Sequence, residues 1–289
     1  MTDGVTGMAA PEALDIEVPR VAGSGIDGLD PAPELDRSAH LQAVREGRVG
    51  SVHSWELVTA VDGPGSRMTL FLAGCPLRCL YCHNPDTLKM KDGEPVTVES
   101  VMKRVLRYRG IFKASKGGLT ISGGEPMMQP AFLKNILREA KKHDIHTAID
   151  TSGNLGHYML DKDLADLDLV LLDVKSGIPE TYRDLTGREL QPTIDFGDRL
   201  AKLGKEIWIR FVLVPGWTDA PENIDAVAKI ITRWPNVSRL EVLPFHQMGR
   251  DKWETIGIPY RLDDVEPPSN EEADRVRQRF RDLGVSLVY

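Results

Sequence analysis

All three cysteines of the chain, Cys75, Cys79 and Cys82, fall within eight residues, in Gly74-Cys75-Pro76-Leu77-Arg78-Cys79-Leu80-Tyr81-Cys82-His83-Asn84. An odd number rules out a simple disulfide framework. One short segment cannot easily bury three thiols independently, as free cysteines are usually buried. The spacing C-x3-C-x2-C suits a metal centre. Structural zinc asks for four tetrahedral ligands, usually in two separated knuckles. Here the second knuckle is missing, and His83 adjoins Cys82 too closely for comfortable tetrahedral donation. An iron–sulfur cube fits soft thiolates better, and three of them leave one iron without a protein ligand. An electron carrier gains nothing from that arrangement, whereas an enzyme can bind substrate there.

Other candidates end short apolar runs. Gly123 and Gly124, before Glu125, permit close backbone approach, and carbonyls exposed there can accept hydrogen bonds from an ammonium group. Asp150-Thr151 and Asp173-Val174-Lys175 end two neighbouring runs. Two carboxylates and a lysine there are costly unless paired or bound, so the choice is a structural salt bridge or a ligand. Arg210 alternates with Ile209 and Phe211; pointing into a small barrel, it needs an anion. His246 ends the last run. Tyr81 is either packing or a ligand contact. Asp62, in the turn Asp62-Gly63-Pro64-Gly65, either stabilises that turn or touches substrate.

The elements that position these groups alternate. Val52–Ala60 is a β segment before the turn. Strands are expected at Met68–Leu72, Leu119–Ser122, His146–Asp150, Leu169–Val174, Ile207–Val214 and Arg239–Leu243, as short apolar runs bounded by turn signals. Helical periodicity covers Glu99–Tyr108, Ala131–His143, Ile194–Leu203, Pro221–Trp234 and Asn270–Leu283. Alternating β and α predicts an α/β fold with a parallel sheet and right-handed crossovers. The polar candidates then share one rim, at the C-terminal strand ends.

Tyr81 before the last cysteine makes the motif resemble the radical S-adenosylmethionine (SAM) superfamily. The stretches Val61-Asp62-Gly63-Pro64-Gly65, Tyr81-Cys82-His83-Asn84, Ser122-Gly123-Gly124-Glu125, Asp150-Thr151, Leu172-Asp173-Val174-Lys175, Trp208-Ile209-Arg210, Val214-Pro215-Gly216-Trp217 and Leu243-Pro244-Phe245-His246 run in the order seen in glycyl-radical-enzyme activating enzymes, those of pyruvate formate-lyase in particular. The resemblance covers residues 50–289. It implies a partial (β/α)6 barrel and one 4Fe-4S cluster on Cys75, Cys79 and Cys82, whose open iron chelates SAM. It implies SAM contacts from Tyr81, Cys82, His83, Asn84, Gly123, Gly124, Glu125, Asp173, Val174, Lys175, Ser176, Gly177, Arg210 and His246. It further implies a monovalent cation held by Asp150, Thr151, Asp173 and the carbonyl of Leu171; Asp62 stays a candidate substrate contact beside its turn role.

The implied reaction is reductive cleavage of SAM to methionine and a 5′-deoxyadenosyl radical, which takes a hydrogen atom from one glycine Cα of pyruvate formate-lyase. No side chain is required as a catalytic acid or base. Flavodoxin or ferredoxin is the implied electron donor. Relatives with extra clusters carry further cysteines before the Gly-Gly-Glu segment. Here none lies between Cys82 and Gly123, which favours pyruvate formate-lyase and leaves 2-ketobutyrate formate-lyase open. Two readings of another class stay open: a zinc or redox module without catalysis, and a SAM sensor.

Charge and composition bound the rest. With 36 basic and 43 acidic residues the net charge is −7, which argues against a nucleic-acid partner. No apolar run approaches the ~18 residues of a membrane span, and no secretory signal opens the chain, so a cytoplasmic, soluble protein is expected, most simply a monomer. Residues 1–49 carry nine acidic and four basic side chains and no aromatic, and are expected to form a disordered acidic extension with one short helix near Ser38–Gly47. Residues 50–289 are expected to form the radical SAM core.

Overall fold

The computed structural model describes residues 21–22, 25–59 and 61–289. One sheet contains the strands β1 (Val21–Ala22), β2 (Val49–Thr59), β3 (Ser66–Leu72), β4 (Glu94–Thr97), β5 (Gly118–Gly123), β6 (His146–Thr151), β7 (Leu169–Asp173), β8 (Glu206–Leu213) and β9 (Val237–Pro244). Their order is β1-β2-β3-β5-β6-β7-β8-β9, with β4 pairing β2. From β3 through β5 to β9 every neighbour is parallel, which gives the six expected strands. The antiparallel hairpin β2–β3, around Asp62-Gly63-Pro64-Gly65, adds the other edge.

The helices are α1 (Arg37–Arg45), α2 (Val98–Leu106), α3 (Arg109–Ser115), α4 (Pro130–Lys142), α5 (Asp161–Leu164), α6 (Pro179–Thr186), α7 (Gln191–Lys202), α8 (Pro221–Ile231), α9 (Arg250–Thr255) and α10 (Asn270–Asp282). The longer ones form because an apolar stripe recurs at helical spacing: α4 buries Phe132, Leu133, Ile136, Leu137 and Ala140 against the sheet layer. Pro221 opens α8, where its missing N–H costs no helical bond. Parallel strands covered on both faces read as continuous apolar runs, as in β7, where Leu169–Leu172 are all buried. At the opposite end, Arg67 is buried near the strand starts, its Nε 2.6 Å from Thr120 Oγ1 and its Nη2 2.7 Å from the Leu119 carbonyl. The barrel does not close. The edge of β9 is instead covered by the last residues, Leu240 N donating to Leu287 O and Val242 N to Tyr289 O.

The expected extension is shorter than residues 1–49. Leu29 is buried, Pro31 bridges Val96, Trp55 Nε1 donates to Asp27 O across 2.7 Å, and α1 buries Ala43. A few buried apolar anchors hold this segment despite its acidic composition. Residues 1–20 and 23–24 lie outside the described residues, and so does the reading of them as disordered. Among the described residues no helix is long and apolar enough to cross a membrane.

Candidate active site

The cysteine loop leaves β3 through Gly74, whose φ of +97° a side-chain-bearing residue rarely adopts. Its backbone is tied on several sides. Gly74 N donates to Thr87 O, Arg78 N to Thr186 O, and Leu80 N to Leu185 O, so the end of α6 holds the segment on either side of Cys79. Trp253 Nε1 on α9 donates to Cys82 O across 2.9 Å, and Lys252 Nζ reaches Asn84 Oδ1 across 2.7 Å. Across the rim, Glu125 N donates to Gly74 O and Gly124 N to Leu72 O. A Cβ on Gly124 would stand 2.3 Å from Gly74 O, and one on Gly123 2.3 Å from Leu72 N. The paired glycines therefore let the β5 turn abut the cysteine loop as well as any ligand.

Cys75, Cys79 and Cys82 line one cavity of about 480 Å³ at the C-terminal strand ends. Tyr81, His83, Asn84, Gly123, Gly124 and Glu125 share it. So do Asp62, Asp150, Thr151, Asp173, Lys175, Arg210 and His246. Burial pushes all three thiols up, Cys82 to about 12. Bare thiolates are therefore costly here, and a cationic partner removes the cost. Among the described residues no three His, Cys, Asp or Glu side chains converge as a single metal ion requires. A cube needs no such convergence, since each thiolate binds a different iron. Three thiols on one cavity thus fit a cluster better than one zinc.

The charges are arranged in two groups. Lys175 Nζ lies 2.9 Å from Asp173 Oδ2 and 5.6 Å from the Tyr81 ring centre. Burial opposes the Lys175 charge, but Asp173 holds its ammonium well above the usual lysine range. Arg210 Nη1 stands 3.1 Å from Asp150 Oδ2 and 3.5 Å from Asp62 Oδ1, and its Nε 3.7 Å from Glu241 Oε2. Burial raises Asp62 and Glu241 from the ordinary carboxylate value, and Arg210 is the strongest influence against it. Three polar atoms here are buried without a hydrogen-bond partner, Asp150 Oδ1, Tyr81 Oη and Arg210 Nε. Such orphans cost roughly 1–3 kcal/mol each, which suits a cavity that takes a polar ligand.

Glu125 is buried and accepts from Thr151 Oγ1 at 2.7 Å, Ser152 Oγ at 2.6 Å, Ser152 N at 3.0 Å and Met127 N at 3.3 Å. Its carboxylate locks β5 to β6, and Thr151 Oγ1 is committed to it and to Gly153 N. Four residues named from the sequence do not line the cavity: Leu171, Val174, Ser176 and Gly177. The Leu171 side chain packs with Ala148 and Leu169, and Val174 belongs to the main core. Ser176 Oγ and Gly177 N both donate to Asn223 Oδ1, and a Cβ on Gly177 would meet the backbone of Ala226 and Val227. Sequence reading missed Glu56, Ser152 and Lys252, which line the cavity. Ser152 follows a strand end and carried a signal; Glu56 and Lys252 carried none.

A parallel half-barrel with three cysteines and a Gly-Gly turn on one rim defines an α/β protein whose polar cavity opens at the C-terminal strand ends. The profile of the radical SAM superfamily matches residues 69–228. The chain is 40% identical over 243 residues to pyruvate formate-lyase 1-activating enzyme of Escherichia coli (strain K12), 83% of this chain and 99% of that protein. It is 42% identical over 235 residues to pyruvate formate-lyase-activating enzyme of Clostridium pasteurianum, 81% and 98% of the two chains. A crystal structure of a domain of pyruvate-formate lyase-activating enzyme from Bacteroides vulgatus ATCC 8482 matches with TM-score 0.50 and 24% identity, over 60% of this chain and 98% of that one. A radical SAM methyltransferase from Sphaerobacter thermophilus matches with TM-score 0.56 and 16% identity, over 91% and 76%. These two structures show the fold. The chain belongs to the radical SAM superfamily and, within it, to the family of the pyruvate formate-lyase-activating enzymes.

Proposed function

We propose that this chain activates pyruvate formate-lyase under anaerobic conditions by generating a glycyl radical on it. The observation that carries the reading is the meeting of three cysteines, a Gly-Gly turn and a buried Asp173–Lys175 pair on one cavity. When bound, a 4Fe-4S cluster and SAM supply one electron and a carbon-centred radical able to take a hydrogen atom from a glycine Cα. The chain's own residues bind and orient. Cys75, Cys79 and Cys82 hold the cluster. Exposed backbone at Gly123 and Gly124 accepts the SAM ammonium, while Lys175 and Arg210 supply positive charge for a carboxylate. Tyr81, His83 and His246 offer ring surface, the two imidazoles meeting edge to face at 4.9 Å.

A monovalent cation fits at Asp150 and Asp173, where Asp150 Oδ1 is buried and unpartnered. Thr151 contributes less, since its hydroxyl is already engaged. Asp62 then faces the incoming lyase loop. The setting is a cytoplasmic monomer fed by a flavodoxin or ferredoxin.

The test is anaerobic incubation of the cluster-loaded protein with dithionite and SAM. Release of 5′-deoxyadenosine is expected, and Cys79→Ala abolishes it. Release that persists in this variant contradicts the cluster assignment.

A further inference from the structure

A second cavity, of about 670 Å³, lies on the other side of the cysteine loop, between α1 and the segment Met90–Pro95. Leu41, Val44, Met90 and Met128 line it, and each is more than a third exposed. Its lining includes Arg45 and Lys91 and no Asp or Glu, in a chain whose net charge is −7. A contiguous exposed apolar surface rimmed by polar groups marks an interaction site.

Its floor touches the cluster loop. A Cβ built on Gly74 would stand 2.8 Å from Met90 Cε and 3.8 Å from Met128 Cβ. Cys75 N donates to Leu88 O across 3.1 Å, two residues before Met90. Gln129 Nε2 bonds both Ser51 O and Ala73 O, and Ser51 Oγ bonds Met90 O, so the floor is braced. A short bonded route therefore runs from the groove to Cys75 without entering the cavity where SAM and the lyase loop are proposed to bind.

We infer that this groove docks the electron donor, a small acidic flavoprotein that lays the apolar edge of its flavin on Met90 and Met128 while its carboxylates meet Arg45 and Lys91. The inference rests on the proposed function. Flavin is chosen because its apolar ring edge suits an apolar floor, and acidity because the rim is basic. The flavin passes one electron to the cluster; no bond forms or breaks at the groove. An anionic hydroquinone becomes a neutral semiquinone, so no proton moves. Separate doors let the cluster be reduced while the lyase occupies the rim.

The test is calorimetric titration of oxidised flavodoxin into the full-length, cluster-loaded protein, wild type and Arg45→Glu/Lys91→Glu. The expected result is about tenfold weaker binding in the variant and a smaller salt dependence. Flavodoxin-driven 5′-deoxyadenosine release at limiting carrier falls in parallel, while dithionite-driven release is unchanged. Unchanged affinity overturns the inference. So does a weaker affinity for the lyase instead, which assigns the groove to the lyase. A ferredoxin that binds more tightly than flavodoxin overturns the choice of carrier. If the wild type releases nothing even with dithionite, the functional reading fails, and the titration still judges the groove.

Discussion

Arg210 Nη1 and Asp150 Oδ2 stand 3.1 Å apart across the rim of β8 and β6, and the same guanidinium faces Asp62 and Glu241. The guanidinium serves all three, and Glu241 has a second cation in Arg239, whose Nε lies 2.9 Å from its Oε1. Asp150 and Asp62 hold Arg210 above its ordinary value against the cost of burial. Removing it strands the carboxylates. Arg210→Met is expected to lower stability by roughly 3 kcal/mol, read as a lower urea midpoint at unchanged slope. An unchanged midpoint would mean that solvent already neutralises these groups.

Glu125 gives a pH prediction with a definite sign. Burial raises its carboxyl above the ordinary glutamate value of 4.5, although donors from Ser152 and Thr151 oppose the rise. The folded state then binds the proton more tightly than the unfolded chain. Its contribution is complete below 4.5 and is lost as pH rises through the raised value. In Glu125→Gln this part of the decline disappears. Followed upward from the ordinary glutamate value, the denaturation midpoint of the wild type is expected to fall relative to that of the variant; parallel curves would contradict the assignment.

The strands and their rim were legible in the sequence because each buried parallel strand is a short apolar run that a polar motif ends: Leu169–Leu172 before Asp173, Leu119–Ile121 before Gly123. The clamp on the cysteine loop was not. Trp253 and Cys82 are 171 residues apart, and α9 is a single short turn-and-a-half with no periodicity to read. Arg210 was expected to need an anion inside the barrel, and its protein partners come from a turn and two other strands, which no local pattern announces. Residues 1–49 read as a mostly disordered extension with one short helix near Ser38–Gly47; α1 (Arg37–Arg45) is that helix, and anchors such as Leu29 and Ala43 hold residues 25–49 where a sheet is already there to receive them.

The Gly124 carbon faces Gly74 O with no room between them. Gly124→Ala forces the cysteine loop outward, at a cost of about 1–3 kcal/mol. Iron and sulfide per protein are expected to fall along with thermal stability. Full cluster content in this variant would show that the loop has slack.

Lys175 should separate ligand binding from cluster binding. Lys175→Ala is expected to raise the SAM concentration needed for half-maximal cleavage while leaving iron content near wild type. Its partner Asp173 then loses its neighbouring cation. An equal loss of iron would place Lys175 in cluster assembly instead.

The central claim is that a glycine of pyruvate formate-lyase is where this cavity acts. Reduced, cluster-loaded protein mixed anaerobically with SAM and pyruvate formate-lyase should produce a glycyl-radical doublet in the electron paramagnetic resonance spectrum, absent without SAM and absent with Cys79→Ala. If 5′-deoxyadenosine forms and no doublet appears on the lyase, the target assigned here is wrong.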